Sequence, residues 1–125
     1  MMDQIRIVNI KRDGVKFQMG NAFSWKVLYP EMGVKELTVN YGEHAPGMEF
    51  RQHVHKNSVD VIICLSGHGV IRSGEERLPI GPWDVVYVPA GVVHGTINTG
   101  DEPLVMISCQ VPPDQALYTG QSATE

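Results

Sequence analysis

Short runs rich in Val, Ile and aromatic residues alternate along the chain with stretches that contain Gly or Pro. Such runs favour β-strands, because branched and aromatic side chains suit a pleated, half-buried surface. No window of helical length shows apolar residues at a period of 3.6, which predicts few helices. The predicted strands are Ile5–Ile10, Ser24–Tyr29, Glu36–Tyr41, Phe50–His55, Val59–Ser66, Gly69–Ser73, Asp84–Val88, Gly95–Asn98 and Leu104–Val111.

Turn signals separate these strands at short, even intervals, since the chain has 13 glycines and 8 prolines. The segment Ser73-Gly74-Glu75-Glu76 predicts a hairpin turn. Many short strands with such spacing indicate a sandwich or a barrel. The tail from Pro112 to Glu125 is polar and rich in small residues, so we expect a loosely held arm or a partner contact there. We expect one domain over residues 1–125.

Length and charge narrow the function classes. A chain of 125 residues can bury a core without disulfide staples. The net charge of −4 argues against a nucleic-acid partner, which usually selects a basic patch. The chain has no cluster of Lys and Arg and no apolar run near 18 residues, so we expect no membrane partner. We see no secretory signal, and Cys64 and Cys109 form no CxxC pair, which favours the cytoplasm.

The chemistry concentrates in the segment that ends at His53-Val54-His55. Alternate side chains of a strand point to the same face, so His53 and His55 are expected to share one. Their Cα atoms would lie about 6.5 Å apart, and two imidazoles that start from this separation can lean together onto one metal ion. Asp60 opens the apolar run that follows, where a carboxylate is costly unless it is paired. A metal, or a cation such as Arg51, would supply that pairing.

A second polar cluster follows a tight corner at Pro89 and Gly91. The next strand opens with His94, which would share a face with Thr96 and Asn98.

In these two stretches the chain resembles the cupin superfamily, in its small single-domain form. The first cupin motif is Gly, five residues, His-x-His, three or four residues, Glu, six residues, Gly. The second is Gly-Asp, four residues, Pro-x-Gly, two residues, His, three residues, Asn. The matching positions in motif 1, at 47–67, are Gly47, His53, His55, Asp60 and Gly67, and those in motif 2, at 81–98, are Asp84, Pro89, Gly91, His94 and Asn98.

The resemblance implies an all-β, antiparallel jelly-roll β-barrel, also called a double-stranded β-helix. It also implies one divalent metal ion, held by His53, His55 and His94 with Asp60 as the fourth ligand. Ligand type alone leaves Fe, Mn, Ni, Cu and Zn as candidates. Many relatives are homodimers, so we expect a homodimer here.

The sequence departs from the motifs at two positions. Asp60 stands where the family has glutamate, and it either binds the metal, directly or through water, or hydrogen-bonds a histidine ligand. Trp83 stands where the family has glycine before the second-motif aspartate, and Gly81 lies two residues earlier. We therefore expect the turn to be rebuilt as Gly81-Pro82-Trp83.

The other polar residues have simpler interpretations. We expect His44 and His68 to be exposed loop residues, Asp84 to stabilise a turn, and Cys64 to pack as a small buried side chain. Thr96 and Asn98 either line the pocket or make structural hydrogen bonds. Glu49 and Arg51 stand at even spacing from His53 and would share its face of the strand. We favour the simpler interpretation that both are solvated residues near the end of the strand. Four aromatic residues are expected in barrel packing or at a dimer interface: Trp25, Tyr29, Tyr41 and Phe50.

A site of three histidines, with or without the carboxylate, leaves positions for water or substrate, which is typical of catalytic metal centres. We therefore expect a metal-dependent enzyme that acts on a small oxygen-rich organic molecule, as a dioxygenase, isomerase or lyase. The alternative is a non-catalytic module that binds or senses a small molecule through its metal. The sequence leaves further catalytic residues unassigned.

Overall fold

The computed structural model of the protein describes residues 4–119, 121 and 123–124. Two short helices and a 3-10 turn accompany two antiparallel sheets. The elements are α1 (Ile10–Asp13), β1 (Val15–Gln18), β2 (Phe23–Leu28), the 3-10 turn Pro30–Met32, β3 (Thr38–His44), β4 (Glu49–His53), β5 (Val59–Ser66), β6 (Gly69–Ser73), β7 (Glu76–Ile80), β8 (Val85–Val88), β9 (His94–Asn98), β10 (Leu104–Val111) and α2 (Ala116–Thr119). None of the described helices is long and apolar enough to cross a membrane.

The strands form a six-stranded sheet in the order β1-β2-β3-β10-β5-β8 and a four-stranded sheet in the order β4-β9-β6-β7. All of the recorded strand pairings are antiparallel, and consecutive strands often lie in different sheets. This arrangement confirms the predicted jelly roll. Each sheet turns one face inward, as the alternate burial of Asp60, Ile62 and Cys64 along β5 shows.

The core lies between the two sheets. Its buried residues come from β5, β8 and β10 of one sheet and from β6 and β7 of the other, so each sheet covers the apolar face of its partner. The cluster consists of Ile62, Cys64, Ile71, Ile80, Val88, Leu104 and Met106. Cys64 is fully buried there as a free thiol, as predicted.

The bounds of β5, β6 and β10 match the predicted strands. The prediction for Ile5–Ile10 is wrong: residues 4–9 form no regular structure, and α1 begins at Ile10, where the Asn9 side chain accepts hydrogen bonds from two backbone amides. Ile5 and Ile7 are 96% and 90% exposed, so these alternate apolar residues do not pack against a sheet. Two strands that we did not predict, β1 and β7, consist mostly of exposed residues.

The C-terminal tail is held more firmly than predicted. Tyr118 donates a hydrogen bond to Asn40, Leu117 is 3% exposed, and the amide of Thr124 donates to the carbonyl of Gln52. The predicted arm is therefore packed onto the sheets over its described part. Gly120, Ser122 and Glu125 lie outside the described residues.

Candidate metal centre

A β-bulge in strand β4 positions His53, the first histidine of the site. Phe50 pairs with Thr96 and His53 pairs with His94, so three steps on β4 oppose two steps on β9. The bulge makes Phe50 and His53 face the same side, although their spacing is odd. Arg51 is consequently exposed, and Glu49 forms an ion pair with Arg72 at 2.6 Å.

We predicted that His53 and His55 share one face of a strand, and the strand assignment of His55 is wrong. Strand β4 ends at His53, and His55 lies in the connection to β5. The two imidazoles nevertheless approach each other, with ring centroids 4.8 Å apart. Backbone contacts of this connection fix the position of His55, whose carbonyl accepts a hydrogen bond from the amide of Gly91.

Four candidate ligands meet between the sheets. His53 at the end of β4, His55 in the following connection, Asp60 in β5 and His94 at the start of β9 each offer one ligand atom, and these atoms lie within 4.8 Å of one another. All four residues are at most 4% exposed. The structure thus brings together every residue that the two motifs predict for the metal. This buried cluster suits a metal site.

The hydrogen bonds of the histidines fix their tautomers. Nδ1 of His53 lies 2.7 Å from the carbonyl oxygen of Arg51, and Nδ1 of His94 lies 2.9 Å from that of Val92. A carbonyl oxygen can only accept, so both Nδ1 atoms carry the proton. In the neutral imidazoles, Nε2 then carries the lone pair that a metal ion needs.

The third histidine uses a carboxylate in place of a carbonyl. Nδ1 of His55 lies 2.8 Å from Oδ2 of Asp114, and this contact leaves Nε2 as the metal-binding atom. Nε2 of His55 is buried and has no hydrogen-bond partner among the described residues. An orphaned buried nitrogen of this kind suits a metal ligand, because the ion would satisfy its lone pair.

Two nitrogens converge on one oxygen. Oδ2 of Asp60 lies 2.8 Å from Nε2 of His94 and 3.3 Å from Nε2 of His55, the latter without hydrogen-bond alignment. Lone pairs of neutral imidazoles would repel a carboxylate at these distances, so a proton or a cation must lie among them. Two donors that bind one ion at about 2.1 Å and at a right angle are about 3 Å apart. The four side chains therefore fit a divalent ion.

The electrostatics of the cluster also suit a cation. Burial, together with the neighbouring His94, lowers the pKa of His53 to about 3. Burial opposes ionisation of Asp60, but His55 and His94 hold the pKa of this carboxyl well below its usual range. Burial would lower the pKa of His55, yet Asp60 and Asp114 raise it. An ionised Asp60 beside a neutral His53 matches the protonation states that metal ligands require.

Of the two partners that we considered for Asp60, a metal and Arg51, the second does not apply, because Arg51 is exposed and is not among the contacts of Asp60 with described residues. Oδ1 of Asp60 instead accepts a hydrogen bond of 3.0 Å from Nε2 of Gln110. The Gln110 oxygen accepts in turn from Thr38 at 2.5 Å and from Asn40 at 2.7 Å. This buried chain of amides and hydroxyls fixes the orientation of the carboxylate.

Comparison with known proteins identifies the architecture. The family model described as Cupin_2, cupin domain, matches residues 40–109, which is more than half of the chain. The chain belongs to the cupin family. Glucose-6-phosphate isomerase of Pyrococcus abyssi is 34% identical over 91 residues, which cover 69% of this chain and 44% of the isomerase. The chain thus spans less than half of the length of that relative.

Solved structures show the same fold. A Cupin 2 conserved barrel domain protein from Salinispora arenicola has a TM-score of 0.71 at 24% identity, covering 94% of this chain and 95% of that one. A predicted oxalate decarboxylase from Thermotoga maritima has a TM-score of 0.72 at 21% identity, covering 86% of this chain and 99% of that one.

The cupin motif glycines have clear structural reasons. Gly67 has a φ of +84°, and a Cβ there would overlap the carbonyl oxygen of Pro103. Trp83, which stands where the motif has glycine, has a strained backbone. Its φ is 74°, in the left-handed region that glycine favours. The turn is rebuilt as Gly81-Pro82-Trp83, as expected, and the Asp84 amide closes it by donating to the Gly81 carbonyl at 3.1 Å. Asp84 stabilises this turn, as predicted, by accepting a hydrogen bond of 2.8 Å from the Gly81 amide.

A small, largely apolar cavity adjoins the candidate ligands. It opens between the sheets, and no lysine or arginine of the described chain lines it. Its lining includes Phe50 as well as His53, Asp60 and His94, so Phe50 does more than the packing we expected of it. The remaining lining residues are Phe17, Ser24, Asn40, Tyr41, Gly42, His44, Ile62, Gly95, Thr96, Met106, Ser108, Gln110 and Leu117.

The prediction that His44 is an exposed loop residue is wrong. His44 ends β3, is 1% exposed and lines the cavity. Its Nε2 lies 2.7 Å from the Thr96 hydroxyl, whereas Nδ1 has no hydrogen-bond partner among the described residues. Burial lowers the pKa of His44 to about 4, so the ring is neutral near pH 7.

We considered two roles for Thr96 and Asn98, lining the pocket or making structural hydrogen bonds, and the two residues differ in role. Thr96 lines the cavity, whereas the Asn98 amide donates to the carbonyls of His44 and Glu102, both at 2.7 Å, and so has a structural role. His68 is exposed, as predicted.

Sequence reasoning missed Asp114, Gln110 and Asn40 as partners of the site. Gln110 and Asn40 left a signal, because each occupies an inward position of a strand where an apolar residue would be expected. Asp114 left none, since its tail has no strand or helix pattern around it.

Proposed function

We propose that this cupin is a metal-dependent enzyme that acts on a small, oxygen-rich organic molecule. One observation carries the proposal: three buried histidines have Nδ1 committed to acceptors, and the Nε2 atoms of two of them converge on the buried carboxylate of Asp60. The buried Nε2 of His55 has no hydrogen-bond partner among the described residues, and a metal ion would supply one.

The proposed ligands are Nε2 of His53, His55 and His94 together with Oδ2 of Asp60. Three nitrogens and one oxygen suit Fe, Mn, Ni, Cu or Zn. Both cysteines stay outside the cluster, which argues against a thiolate-rich structural zinc site. The bound ion would supply Lewis acidity toward a carbonyl or hydroxyl oxygen of the substrate.

The cavity residues would bind and orient the substrate. His44 is neutral, and its Nδ1 has no hydrogen-bond partner among the described residues, so we assign it a hydrogen bond to a substrate hydroxyl or carbonyl. Thr96 holds the opposite ring nitrogen and thereby fixes the orientation of the ring. Phe50 stacks parallel to His44, with ring centroids 6.3 Å apart, and excludes water from one side of the cavity.

Among dioxygenase, isomerase and lyase chemistry, we favour isomerisation of a hydroxy-carbonyl compound. Support comes from the curated relative, which is named for an isomerase, at 34% identity. The cavity has no described cation to neutralise a phosphate, so the group bound inside it is proposed to be uncharged or held by the metal.

Elemental analysis of purified protein tests the metal, with His53→Ala as the site variant and the exposed His68→Ala as its matched control. We expect about one transition-metal ion per chain in the native protein and in the control, and little in His53→Ala. Native protein that stays free of metal after reloading with each candidate ion would overturn the proposal.

A substrate panel tests the reaction. Uncharged and phosphorylated aldose–ketose pairs, together with oxalate, are incubated with metal-loaded and chelator-treated protein. Turnover is expected only with the loaded form. A loaded protein that binds members of the panel without converting any of them supports the alternative of a non-catalytic, metal-anchored binding or sensing module.

A homodimer is the assembly we propose, as expected from the resemblance. Trp83, Val85 and Tyr87 are 79%, 64% and 64% exposed, and the last two lie on β8 at the edge of the six-stranded sheet. An exposed apolar edge is normally covered by another surface. Sedimentation equilibrium is expected to give twice the chain mass, and a monomer at micromolar concentration would contradict it.

A further inference from the structure

The segment Pro112–Thr119, here called the C-terminal strap, follows β10 and contacts the candidate metal centre along two separate routes. The first route is direct. Oδ2 of Asp114 lies 2.8 Å from Nδ1 of His55, and Oδ1 of the same carboxylate accepts a hydrogen bond of 3.1 Å from the Ala116 amide. The strap backbone therefore orients the carboxylate that orients His55.

The second route runs through three buried or half-buried side chains. Tyr118 donates a hydrogen bond of 2.6 Å to Oδ1 of Asn40, and Asn40 donates one of 2.7 Å to Gln110. Gln110 donates one of 3.0 Å to Oδ1 of Asp60. The hydroxyl of Tyr118 thus ends a relay whose other end is the carboxylate of a candidate ligand.

Apolar contacts seat the strap between these two routes. Leu117 is 3% exposed and lines the cavity beside the candidate ligands. The Tyr118 ring packs edge-on against Phe17 of β1, with centroids 4.9 Å apart. Because Leu117 fills part of the cavity wall, the strap also keeps solvent from the candidate ligands.

From these contacts we infer that Asp114 and Tyr118 are positioning residues of the metal centre, which hold His55 and Asp60 in their binding geometry and so couple docking of the strap to occupancy of the site. The inference rests on the proposed metal site. A carboxylate behind a ligating histidine fixes the ring and raises its basicity, and loss of such a partner costs about 10–100-fold in metal affinity. Coupling between two sites is reciprocal, so a bound ion should also secure the strap.

The experiment measures Zn²⁺ affinity by competition with a chromophoric chelator. The variants are Asp114→Asn, Tyr118→Phe and the double variant. Asp101→Asn and Tyr29→Phe are matched controls, because Asp101 is exposed and Tyr29 does not line the cavity. Thermal unfolding of each metal-free protein is recorded in parallel, and hydrogen exchange of residues 112–119 is followed with and without Zn²⁺.

We expect affinity to fall about 10–100-fold in Asp114→Asn and about 3–10-fold in Tyr118→Phe, with both controls unchanged. The metal-free unfolding temperatures of these variants should stay close to that of the native chain. Leu117→Ala should show the opposite pattern, with lower metal-free stability and a smaller change in affinity. Zn²⁺ should slow exchange in the strap of the native chain, and this slowing should be weaker in Asp114→Asn.

The outcomes separate the two proposals. A native chain that binds none of Zn²⁺, Mn²⁺, Fe²⁺, Ni²⁺ and Cu²⁺ defeats the proposed metal site. A native chain that binds the ion, with affinity unchanged in the double variant, defeats the positioning role alone. An affinity loss that merely parallels the loss of metal-free stability shows that the strap is only structural, and it also overturns the inference.

Discussion

The interior between the two sheets has two ends of opposite character, although the same strands build both. At one end β5 and β10 contribute Ile62, Cys64, Leu104 and Met106 to the apolar cluster. Toward the other end the same strands turn Asp60 and Gln110 inward, and these side chains join the histidines.

The difference between the ends shows how the fold separates stability from chemistry. Apolar burial stabilises the first end without any partner requirement. At the second end each buried polar atom needs a partner, and the chain supplies one for nearly all of them through Gln110, Asn40 and Asp114. The exceptions, on His44 and His55, mark where a ligand is expected.

The largest effect should come from removing a histidine of the polar end. His94→Ala deletes one candidate ligand and leaves Asp60 with one histidine contact fewer. We expect metal affinity to fall by more than about 100-fold. Loss of a mere hydrogen-bond partner of a ligand already lowers metal affinity by about 10–100-fold. Isothermal titration with Zn²⁺ measures this, with His68→Ala as control. Affinity within a few-fold of the native value would remove the contrast between the two ends.

The apolar end should respond in stability alone. Leu104 is fully buried, so Leu104→Ala leaves a cavity and should lower the free energy of unfolding by about 3 kcal/mol. Urea denaturation measures the loss. Zn²⁺ affinity of the remaining folded protein should stay unchanged. An affinity loss as large as that of His94→Ala would mean that the two ends are not independent.

The pH dependence of metal-free stability should reveal His44. Its pKa falls from the ordinary 6.5 in the unfolded chain to about 4 in the folded one. Between these values the unfolded state binds more protons, so stability is fully present above pH 6.5 and declines as the pH falls toward 4. Over this pH interval we expect the free energy of unfolding of His44→Gln to fall by about 2–3 kcal/mol less than that of the native chain. Parallel stability curves for the two proteins would show that His44 titrates normally.

The smallest effect is expected at the exposed turn before β8. Trp83 holds a φ of 74°, and its side chain is 79% exposed. Trp83→Gly should raise the free energy of unfolding by about 1 kcal/mol, because glycine adopts this backbone conformation without the Cβ clash. Chemical denaturation checks the sign. Destabilisation would indicate that the indole makes a contact whose loss outweighs the relief of strain.

Much of this architecture could be read from the sequence, because it depends on local patterns. Alternation placed β5 and β10 correctly, and turn residues marked the hairpin between β6 and β7. The two motifs brought the four candidate ligands together, since their spacing encodes strand lengths and corners. The pattern of Ile5 and Ile7 misled us because alternation indicates a strand only if a neighbouring strand is available.

The missing parts depend on contacts between distant segments. His44 was assigned to a loop because Gly42 and Pro46 flank it, yet β3 pairs with β10 as far as Leu104 and carries His44 inward. Asp114 reaches His55 across 59 positions of sequence, and no local pattern encodes such a pair. The bulge in β4 has no separate signal, because it depends on the register with β9.

That bulge lets β4 carry one residue more than β9 between two inward side chains. Regular pairing over this stretch would put Phe50 and His53 on opposite faces, whereas a chain without Arg51 would keep both on the cavity side with no bulge at all. Natural variation should therefore tolerate the loss of one codon at position 51 better than the loss of one inside β6, whose pairing with both neighbours is regular.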